Sequence, residues 1–179
     1  MAHVSGYDAF APIYDALAAA MTEDVPFYVE LDLRQGDMTD LALDEPTDLV
    51  ICPFRAMLHL PGHDARVGVM SRVRAALVPG GRFAWNAFVF DPAVAAEING
   101  VWRDEGGVRN RSTYDLDERR IDLELEGGAT VPLWWVDRDE WEAAIEEAGL
   151  EVEALYGWFD RRPFDDTSRE FVYVARRPA

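Results

Sequence analysis

The chain has 179 residues, 49% hydrophobic and 12% aromatic, enough for a domain that buries roughly two thirds of the surface exposed by the unfolded form. This composition excludes a disordered tail and a fibrous repeat. The formal net charge of −17 disfavours nucleic acid and anionic lipid as partners, because an acidic surface repels phosphate groups. All 17 basic residues are arginine, which excludes lysine Schiff-base chemistry.

Cys52 is the single cysteine, so the chain can form neither an internal disulfide nor a cysteine-based zinc or iron–sulfur site. This pattern is typical of a reducing compartment. Asp8 and Asp15 interrupt the apolar N-terminal stretch, and no run reaches the ~20 apolar residues that a membrane span requires. We therefore expect a soluble, cytoplasmic protein without membrane contact.

The first half of the chain predicts a strand–helix–strand unit. Residues 7–21 repeat apolar side chains at helical spacing, and residues 31–34 form a short candidate strand. Residues 49–52 are a compact apolar run typical of a buried parallel strand. The spacing then predicts a helix from His63 to Leu77 that stops at the Pro79-Gly80-Gly81 turn, followed by a strand over residues 82–90. A right-handed crossover of this kind is the building block of a doubly wound α/β sheet.

The second half predicts a hairpin, a helix and two closing strands. Alternation over residues 108–126 around Asp117-Glu118-Arg119 indicates an inserted antiparallel hairpin. Asp137 and Glu140 form a capping-box pattern before a helix over residues 139–148. Strands are predicted at Glu151 to Tyr156 and Glu170 to Arg176. We expect one domain, divided into a helical lid (1–30), a core (31–107), the hairpin (108–126) and a closing part (127–179).

Taken together, these segments resemble the class I S-adenosylmethionine-dependent methyltransferases that act on small molecules. Any one segment is unspecific, since many α/β domains contain a Pro-Gly-Gly turn. Five segments in the family's order are more specific: YDAFAPIYD (Tyr7–Asp15), GDMTDL (Gly36–Leu41), DLVICPFRAMLHL (Asp48–Leu60), LVPGGRFAWN (Leu77–Asn86) and FVYVARRP (Phe171–Pro178). The resemblance implies a Rossmann-like, doubly wound, mostly parallel sheet with helices on both faces and S-adenosylmethionine as cofactor.

The sequence departs from the family in one region. The family's glycine-rich loop (motif I) and the acidic residue after the second strand have no counterpart here. Only a few residues separate the opening helix from Leu33, whereas a strand, helix and strand need roughly 30. The first strand–helix–strand unit is therefore expected to be missing, by a natural deletion, by an engineered one, or by omission of a segment from this sequence.

The resemblance also implies cofactor contacts. Asp37 would accept a hydrogen bond from the adenine amino group, and Met38 would pack on the adenine ring. Tyr14, and with it Tyr7, resembles a lid tyrosine. Plain alternatives stay open, because Asp37 also suits a turn and Tyr14 also suits a helix core.

Residues after the strand at 49–52 are candidates by position, since ligands bind at the carboxyl ends of strands in open α/β sheets. Cys52 and Phe54 are predicted to line the cofactor site, although Cys52 also suits a small buried hydrophobe. Arg55 is a candidate contact for a substrate or for the cofactor carboxylate. His59 is a candidate general base, against the alternative of a structural histidine.

Two aromatic residues and one histidine pair complete the candidates. Tyr156 and Phe159 are expected to contact substrate, with core packing as the alternative. His59 and His63 have the spacing of two ligands on one helix face, but Pro61-Gly62 separates them and no third ligand is evident, so no metal is expected. Methyl transfer depends on positioning and desolvation, so catalytic residues stay undefined beyond Arg55 and His59.

Two functions follow from these features. The first is S-adenosylmethionine-dependent methylation of a small molecule, weakened or incomplete without the glycine-rich loop. The alternative is a non-catalytic module of the same fold that acts as a homo-oligomer, such as a homodimer, or binds a protein partner through strand edges.

Overall fold

The computed structural model describes residues 35–105 and 108–179. Several predictions lie outside these residues. They are the N-terminal helix, the short strand at 31–34, the sequence junction near residue 30, and both lid tyrosines, Tyr7 and Tyr14. The described residues belong to two compact units. The core unit comprises Gly36–Pro92 and Leu133–Ala179, and the described part of the other, here called the hairpin unit, comprises Gln35 and Ala93–Pro132. The single-domain division predicted from the sequence stays a prediction.

The core unit is built on a four-stranded sheet of order β1-β2-β8-β7. Its strands are β1 (Thr47–Cys52), β2 (Leu77–Phe88), β7 (Glu151–Tyr156) and β8 (Glu170–Arg176). Strands β1 and β2 are parallel, and β8 runs antiparallel to both β2 and β7. Three of the four strands therefore point the same way, which agrees with the predicted mostly parallel α/β sheet. Residues 49–52 were predicted to be a buried strand, and this was wrong, because Leu49 and Ile51 of β1 are 54% and 65% exposed.

Helix α1 (Gly62–Ala76) connects β1 to β2 and forms the predicted crossover. The helix ends at Ala76, one residue before the predicted end at Leu77. The reason is that Leu77 is already extended and pairs with Thr47 of β1. The Pro-Gly-Gly segment instead forms an irregularity within β2, where Gly80 has a φ of +80°. A side chain at Gly81 would lie only 2.9 Å from the carbonyl oxygen of Val78.

A ladder of stacked aromatic rings fills the core unit. The Phe83 and Trp85 rings on β2 are 4.6 Å apart, and Trp85 is 5.0 Å from Tyr173 on β8. Trp141, on helix α3 (Arg138–Glu147), is fully buried with its ring 6.0 Å from that of Trp85. Trp85 is thus a core residue, 2% exposed.

Helix α3 has the predicted capping box. The backbone N–H of Asp137 donates to Glu140 Oε2 at 3.0 Å, which satisfies one of the groups that a helix start leaves without a partner. The helix ends before Gly149, whose φ of +73° suits glycine and whose N–H donates to the carbonyl of Glu146. The local sequence signals thus placed this helix to within one residue at each end.

The hairpin unit carries a second four-stranded sheet, of order β3-β4-β5-β6. The predicted hairpin is confirmed as antiparallel β4 and β5, with Tyr114 opposite Ile121. The sequence analysis missed β3, β6 and helix α2, which are short and adjoin glycine or proline. The bounds are α2 (Pro92–Ile98), β3 (Trp102–Glu105), β4 (Val108–Asp115), β5 (Arg120–Leu125) and β6 (Thr130–Trp134). Over the described ranges, no helix has the length and hydropathy needed to cross a bilayer.

Candidate functional site

The chain turns sharply as it leaves the carboxyl end of β1. Phe54 and Arg55 have φ values of 57° and 60°, so two consecutive residues other than glycine adopt the left-handed conformation. Each such residue costs about 1–3 kcal/mol and persists only where its surroundings enforce it. We call these two residues the β1 corner. Strain of this kind concentrates at functional sites, and the corner lies where ligands bind in α/β sheets.

Three polar side chains hold the β1 corner. Arg55 donates from Nε to Glu170 Oε1 at 3.0 Å and from Nη2 to Glu170 Oε2 at 2.7 Å. Asn86 Nδ2 donates to the same Oε1 at 2.6 Å, and the backbone N–H of Arg55 donates to Asn86 Oδ1 at 3.4 Å. The Glu170 side chain is 1% exposed and that of Arg55 48%. The buried carboxylate therefore has a bidentate cationic partner and an amide partner.

The sheet brings this network together. Asn86 lies near the end of β2 and Glu170 begins β8, where it pairs with Phe88. The guanidinium of Arg55 also lies 5.6 Å from the centre of the Phe88 ring. The sequence analysis assigned no role to Asn86 and missed Glu170. The sequence held one signal for Glu170, a single acidic residue at the start of an apolar strand. A carboxylate buried at such a place needs polar or charged partners.

Beyond the corner the chain is anchored again. Met57 and Leu58, in the 3₁₀ helix η2 (Ala56–His59), are fully buried. Phe54, by contrast, is 77% exposed. His59 is the last residue of η2 and is half-buried. The structure thus places Phe54, Arg55 and His59 on one loop fixed at both ends, and their predicted contacts with ligand stay predictions.

Cys52, the last residue of β1, is not poised to act as a nucleophile. Burial raises the pKa of its thiol to about 11, and a hydrogen bond with the backbone of Met57 offsets only part of that rise. The thiol is therefore protonated at neutral pH, and the attacking form is the thiolate. This favours the packing interpretation of Cys52.

Asp37 occupies a defined turn before the 3₁₀ helix η1 (Met38–Asp40). Its Oδ1 accepts hydrogen bonds from the backbone N–H and from the hydroxyl of Thr39, both at 2.8 Å. These bonds lower the pKa of the Asp37 carboxyl, with the backbone bond contributing most. Asp37 is exposed, and Met38 is half-buried against the core. The turn interpretation is confirmed, and an ionised, exposed carboxylate also suits the predicted acceptor role.

Tyr156 is the last residue of β7, the outer strand on the far side of the core sheet from β1, and Phe159 follows three residues later. Strand β7 points in the same direction as β1, so its last residue, Tyr156, and Cys52 are at the same edge. Three strand spacings separate them, roughly 14 Å. Phe159 is 59% exposed and its ring contacts that of Trp158 edge-on at 5.3 Å.

The histidine pair is divided between two elements. His63 belongs to α1, and its Nε2 lies 2.9 Å from Glu147 Oε2 on α3, whereas His59 belongs to η2. Among residues 35–105 and 108–179, no group of three or more His, Cys, Asp or Glu side chains is placed to hold a metal ion.

Comparison with known proteins agrees with this architecture. No protein-family model and no curated protein sequence matches the chain. The CcbJ methyltransferase from Streptomyces caelestis matches with a TM-score of 0.67 and 26% identity, over 80% of this chain and 62% of CcbJ. SAM-bound CalS10, an amino pentose methyltransferase from Micromonospora echinaspora, matches with a TM-score of 0.54 and 26% identity, over 79% of this chain and 63% of CalS10. The fold is that of a class I S-adenosylmethionine-dependent methyltransferase.

A more distant structure shows the same methyltransferase fold. An S-adenosylmethionine-dependent methyltransferase from Clostridium acetobutylicum has a TM-score of 0.67 and 11% identity, over 89% of this chain and 71% of that protein. The structure of CalS10, at 26% identity, is bound to S-adenosylmethionine, so the expected cofactor is S-adenosylmethionine, as the sequence predicted. The present chain spans less than two thirds of the length of CcbJ and of CalS10.

The described residues fit part of such a cofactor. Asp37 offers a fixed carboxylate, and Phe54 offers an exposed ring at the carboxyl edge of the sheet. The adjacent glycines of the described ranges lie elsewhere. Gly80-Gly81 interrupts the amino-terminal part of β2, and Gly127-Gly128 joins β5 to β6. Within these ranges, no pair of adjacent glycines lies at the carboxyl edge of the core sheet.

Proposed function

We propose that this chain is an S-adenosylmethionine-dependent methyltransferase that acts on an amine of a small molecule. The observation that carries the proposal is the fixed β1 corner at the carboxyl edge of a sheet with the methyltransferase fold. CalS10, which has the same fold and 26% identity, is an amino pentose methyltransferase. A net charge of −17 also favours encounter with a cationic amine.

The proposed roles follow from position and chemistry. S-adenosylmethionine, when bound, supplies an electrophilic methyl group on a sulfonium and leaves as a neutral thioether. The chain's own residues orient the reactants and exclude water, which can supply most of the rate enhancement. We assign cofactor contacts to Asp37, Met38, Cys52, Phe54 and Tyr14, and substrate contacts to Arg55, Tyr156 and Phe159.

An ammonium group has no free electron pair, so the acceptor must lose a proton before it attacks the methyl carbon. We assign receipt of that proton to His59, since a neutral imidazole nitrogen can accept a proton and the residue lies on the loop beside the corner. The nitrogen lone pair forms the new bond to carbon, the carbon–sulfur pair passes to sulfur, and the amine proton ends on the base.

Only a few residues separate the predicted opening helix from Leu33, and no glycine-rich loop lies between them in the sequence. This adds a second part to the proposal. A chain without a glycine-rich loop has fewer backbone N–H groups to offer the methionine end of the cofactor. We expect its affinity for cofactor to be lower than that of a methyltransferase that has the loop.

A non-catalytic, self-associating module is the second candidate. Leu49 and Ile51 are 54% and 65% exposed on β1, which is an outer strand of its sheet within the described residues. Apolar outer strands promote pairing between chains. Light scattering measures the mass in solution of the wild-type chain and of Ile51→Arg. A wild-type dimer that Ile51→Arg converts to a monomer supports the self-associating module.

Transfer of a labelled methyl group from S-adenosylmethionine tests the leading proposal. The acceptors are an amino sugar and the same sugar with a hydroxyl in place of the amine. The proposal predicts label in the amino sugar alone and its loss in His59→Ala, with His63→Ala as the matched control. Absence of transfer by a folded chain that binds the cofactor, or equal labelling of both sugars, contradicts it.

A further inference from the structure

We propose that Glu170 is a positioning residue that holds the β1 corner, so that Phe54 is presented to the ligand. The holding role stands on contacts within the core unit, whereas the identity of the ligand rests on the proposed function. Glu170 is 115 residues away from Arg55 in sequence and contacts no ligand itself in this account.

The β1 corner has a conformational cost that its surroundings must offset. Left-handed φ values at Phe54 and Arg55 are costly, and the next residues enter a 3₁₀ helix whose Met57 and Leu58 are fully buried. The chain on one side is fixed in β1 by pairing of Cys52 with Trp85. Between these anchors, backbone bonds run from the Ala56 N–H to the Pro53 carbonyl and from the Leu58 N–H to the Arg55 carbonyl. The Glu170 bonds to the Arg55 side chain and the Asn86 bond to the Arg55 N–H add side-chain support to the corner.

The buried charge of Glu170 is compensated at the β1 corner. Glu170 is 1% exposed, so its carboxylate depends on Arg55 and Asn86 for compensation. The same pairing engages the Nε and Nη2 edge of Arg55, one of the two guanidinium edges that can bind a carboxylate bidentately. Through this edge Arg55 is committed to holding the corner.

The β1 corner exposes the side chain of Phe54. Phe54 is 77% exposed at the carboxyl end of β1, a strand whose Leu49 and Ile51 are also 54% and 65% exposed. An aromatic ring held in advance in its binding position loses little entropy when a ligand covers it. Loosening the corner therefore lowers ligand affinity without removing any atom that touches the ligand.

The experiment compares Glu170→Gln with a matched control, Glu153→Gln. Glu153, like Glu170, accepts hydrogen bonds from an arginine. This arginine is Arg82 on β2, whose Nε lies 2.8 Å from Oε1 and 3.0 Å from Oε2. That pair is exposed and belongs to the opposite end of β2, away from the site. The two variants make the same chemical change to an arginine–glutamate pair, and differ in burial and place.

Two measurements are made on the full chain. The backbone ¹³C shifts of Phe54 and Arg55 report the left-handed conformation, and calorimetry with S-adenosylhomocysteine reports affinity. We expect Glu170→Gln to move both shifts towards extended values and to weaken binding about tenfold, ~1.4 kcal/mol. Glu153→Gln should change neither. If Glu170→Gln does not fold, Arg55→Lys replaces it, with Arg82→Lys as its control.

The outcomes separate this inference from the proposed function. Unchanged shifts in Glu170→Gln overturn the positioning role. Moved shifts with unchanged affinity overturn the presentation of Phe54 to ligand. If the wild-type chain binds no S-adenosylhomocysteine, the proposed function fails, while the ¹³C comparison still decides whether Glu170 holds the corner.

Discussion

The two units of this protein are stabilised in different ways. The core unit buries stacked aromatic rings between a mixed sheet and helices, with Phe83, Trp141 and Tyr173 fully buried. The hairpin unit relies more on cross-strand charge pairs. Arg111 of β4 pairs with Glu124 of β5, and the Arg109 and Arg111 guanidinium groups lie 5.6 and 4.9 Å from the centre of the Trp102 ring.

This difference bears on where the site can be. The Arg55–Glu170–Asn86 network lies wholly in the core unit, on strand ends that the aromatic core holds in place. A fixed arrangement suits a reaction that depends on positioning. The charged sheet of the hairpin unit has smaller buried side chains, so substitutions there should be better tolerated.

The largest expected contrast is between two tryptophans. Trp141→Ala should lower the free energy of unfolding by about 3–5 kcal/mol, because it leaves a large cavity under a fully buried ring. Trp102→Ala should cost about 1 kcal/mol, since that ring is half-buried and loses mainly its cation–π contacts. Urea denaturation measures both. Equal costs would show that the two units do not differ in the way described.

Thiol chemistry gives the next contrast. With a pKa of about 11 against an ordinary 9.0, Cys52 should be alkylated by iodoacetamide about 100-fold more slowly at pH 8 than an exposed thiol. The control is Thr113→Cys, an exposed site on β4, in a Cys52→Ser background.

The pH dependence follows from the same shift. Because the pKa of Cys52 is raised in the folded state, folding favours the neutral thiol, and the associated stability is present below pH 9 and lost as the pH rises towards 11. The alkylation rate of Cys52 should therefore keep rising until about pH 11. A plateau near pH 9, shared with the control thiol, would refute the burial argument.

Helix capping should give a smaller effect. Asp137→Ala removes the side-chain half of the capping box of α3 and should cost about 1 kcal/mol of stability. Asp139→Ala, in the first turn of the same helix, removes only a favourable charge and should cost a few tenths of a kcal/mol. Thermal unfolding of both variants provides the measurement, and a larger loss in Asp139→Ala would contradict the capping role.

The smallest effect is expected for the cross-strand pair in the hairpin unit. A double-mutant cycle on Arg111 and Glu124, each changed to Ala, should give a coupling energy of about 0.2–1 kcal/mol, since both side chains are about a third exposed. The coupling should fall in 1 M salt. A coupling that salt leaves unchanged would show that packing, and not charge, joins these strands.

Sequence patterns predicted the elements whose signals are local. The apolar run of β1, the helical spacing of α1 and the capping box of α3 each lie within a few residues, and each element was found. The end of α1 was predicted to within one residue, but the helix ends where Leu77 pairs with Thr47, and Pro79-Gly80-Gly81 lies within β2. A nonlocal contact thus sets this boundary beside the local turn signal.

The site was harder to predict than the fold, because its parts come from distant positions. Arg55 was named from its place after a strand, but its partner Glu170 follows 115 residues later and gives no motif. The left-handed conformation at Phe54 was equally invisible, since phenylalanine has no preference for it. Only the sheet register that sets Phe88 opposite Glu170 brings these groups together.

The most direct test of this account is calorimetric titration of the 179-residue chain with S-adenosylhomocysteine, for wild type, Asp37→Ala and Asp40→Ala. Asp37 and Asp40 are exposed carboxylates within one 3₁₀ turn, so Asp40→Ala is a matched control. The account predicts saturable binding that Asp37→Ala weakens at least tenfold and Asp40→Ala leaves unchanged. Absence of binding by the folded wild-type chain, or equal affinity in all three proteins, would contradict it.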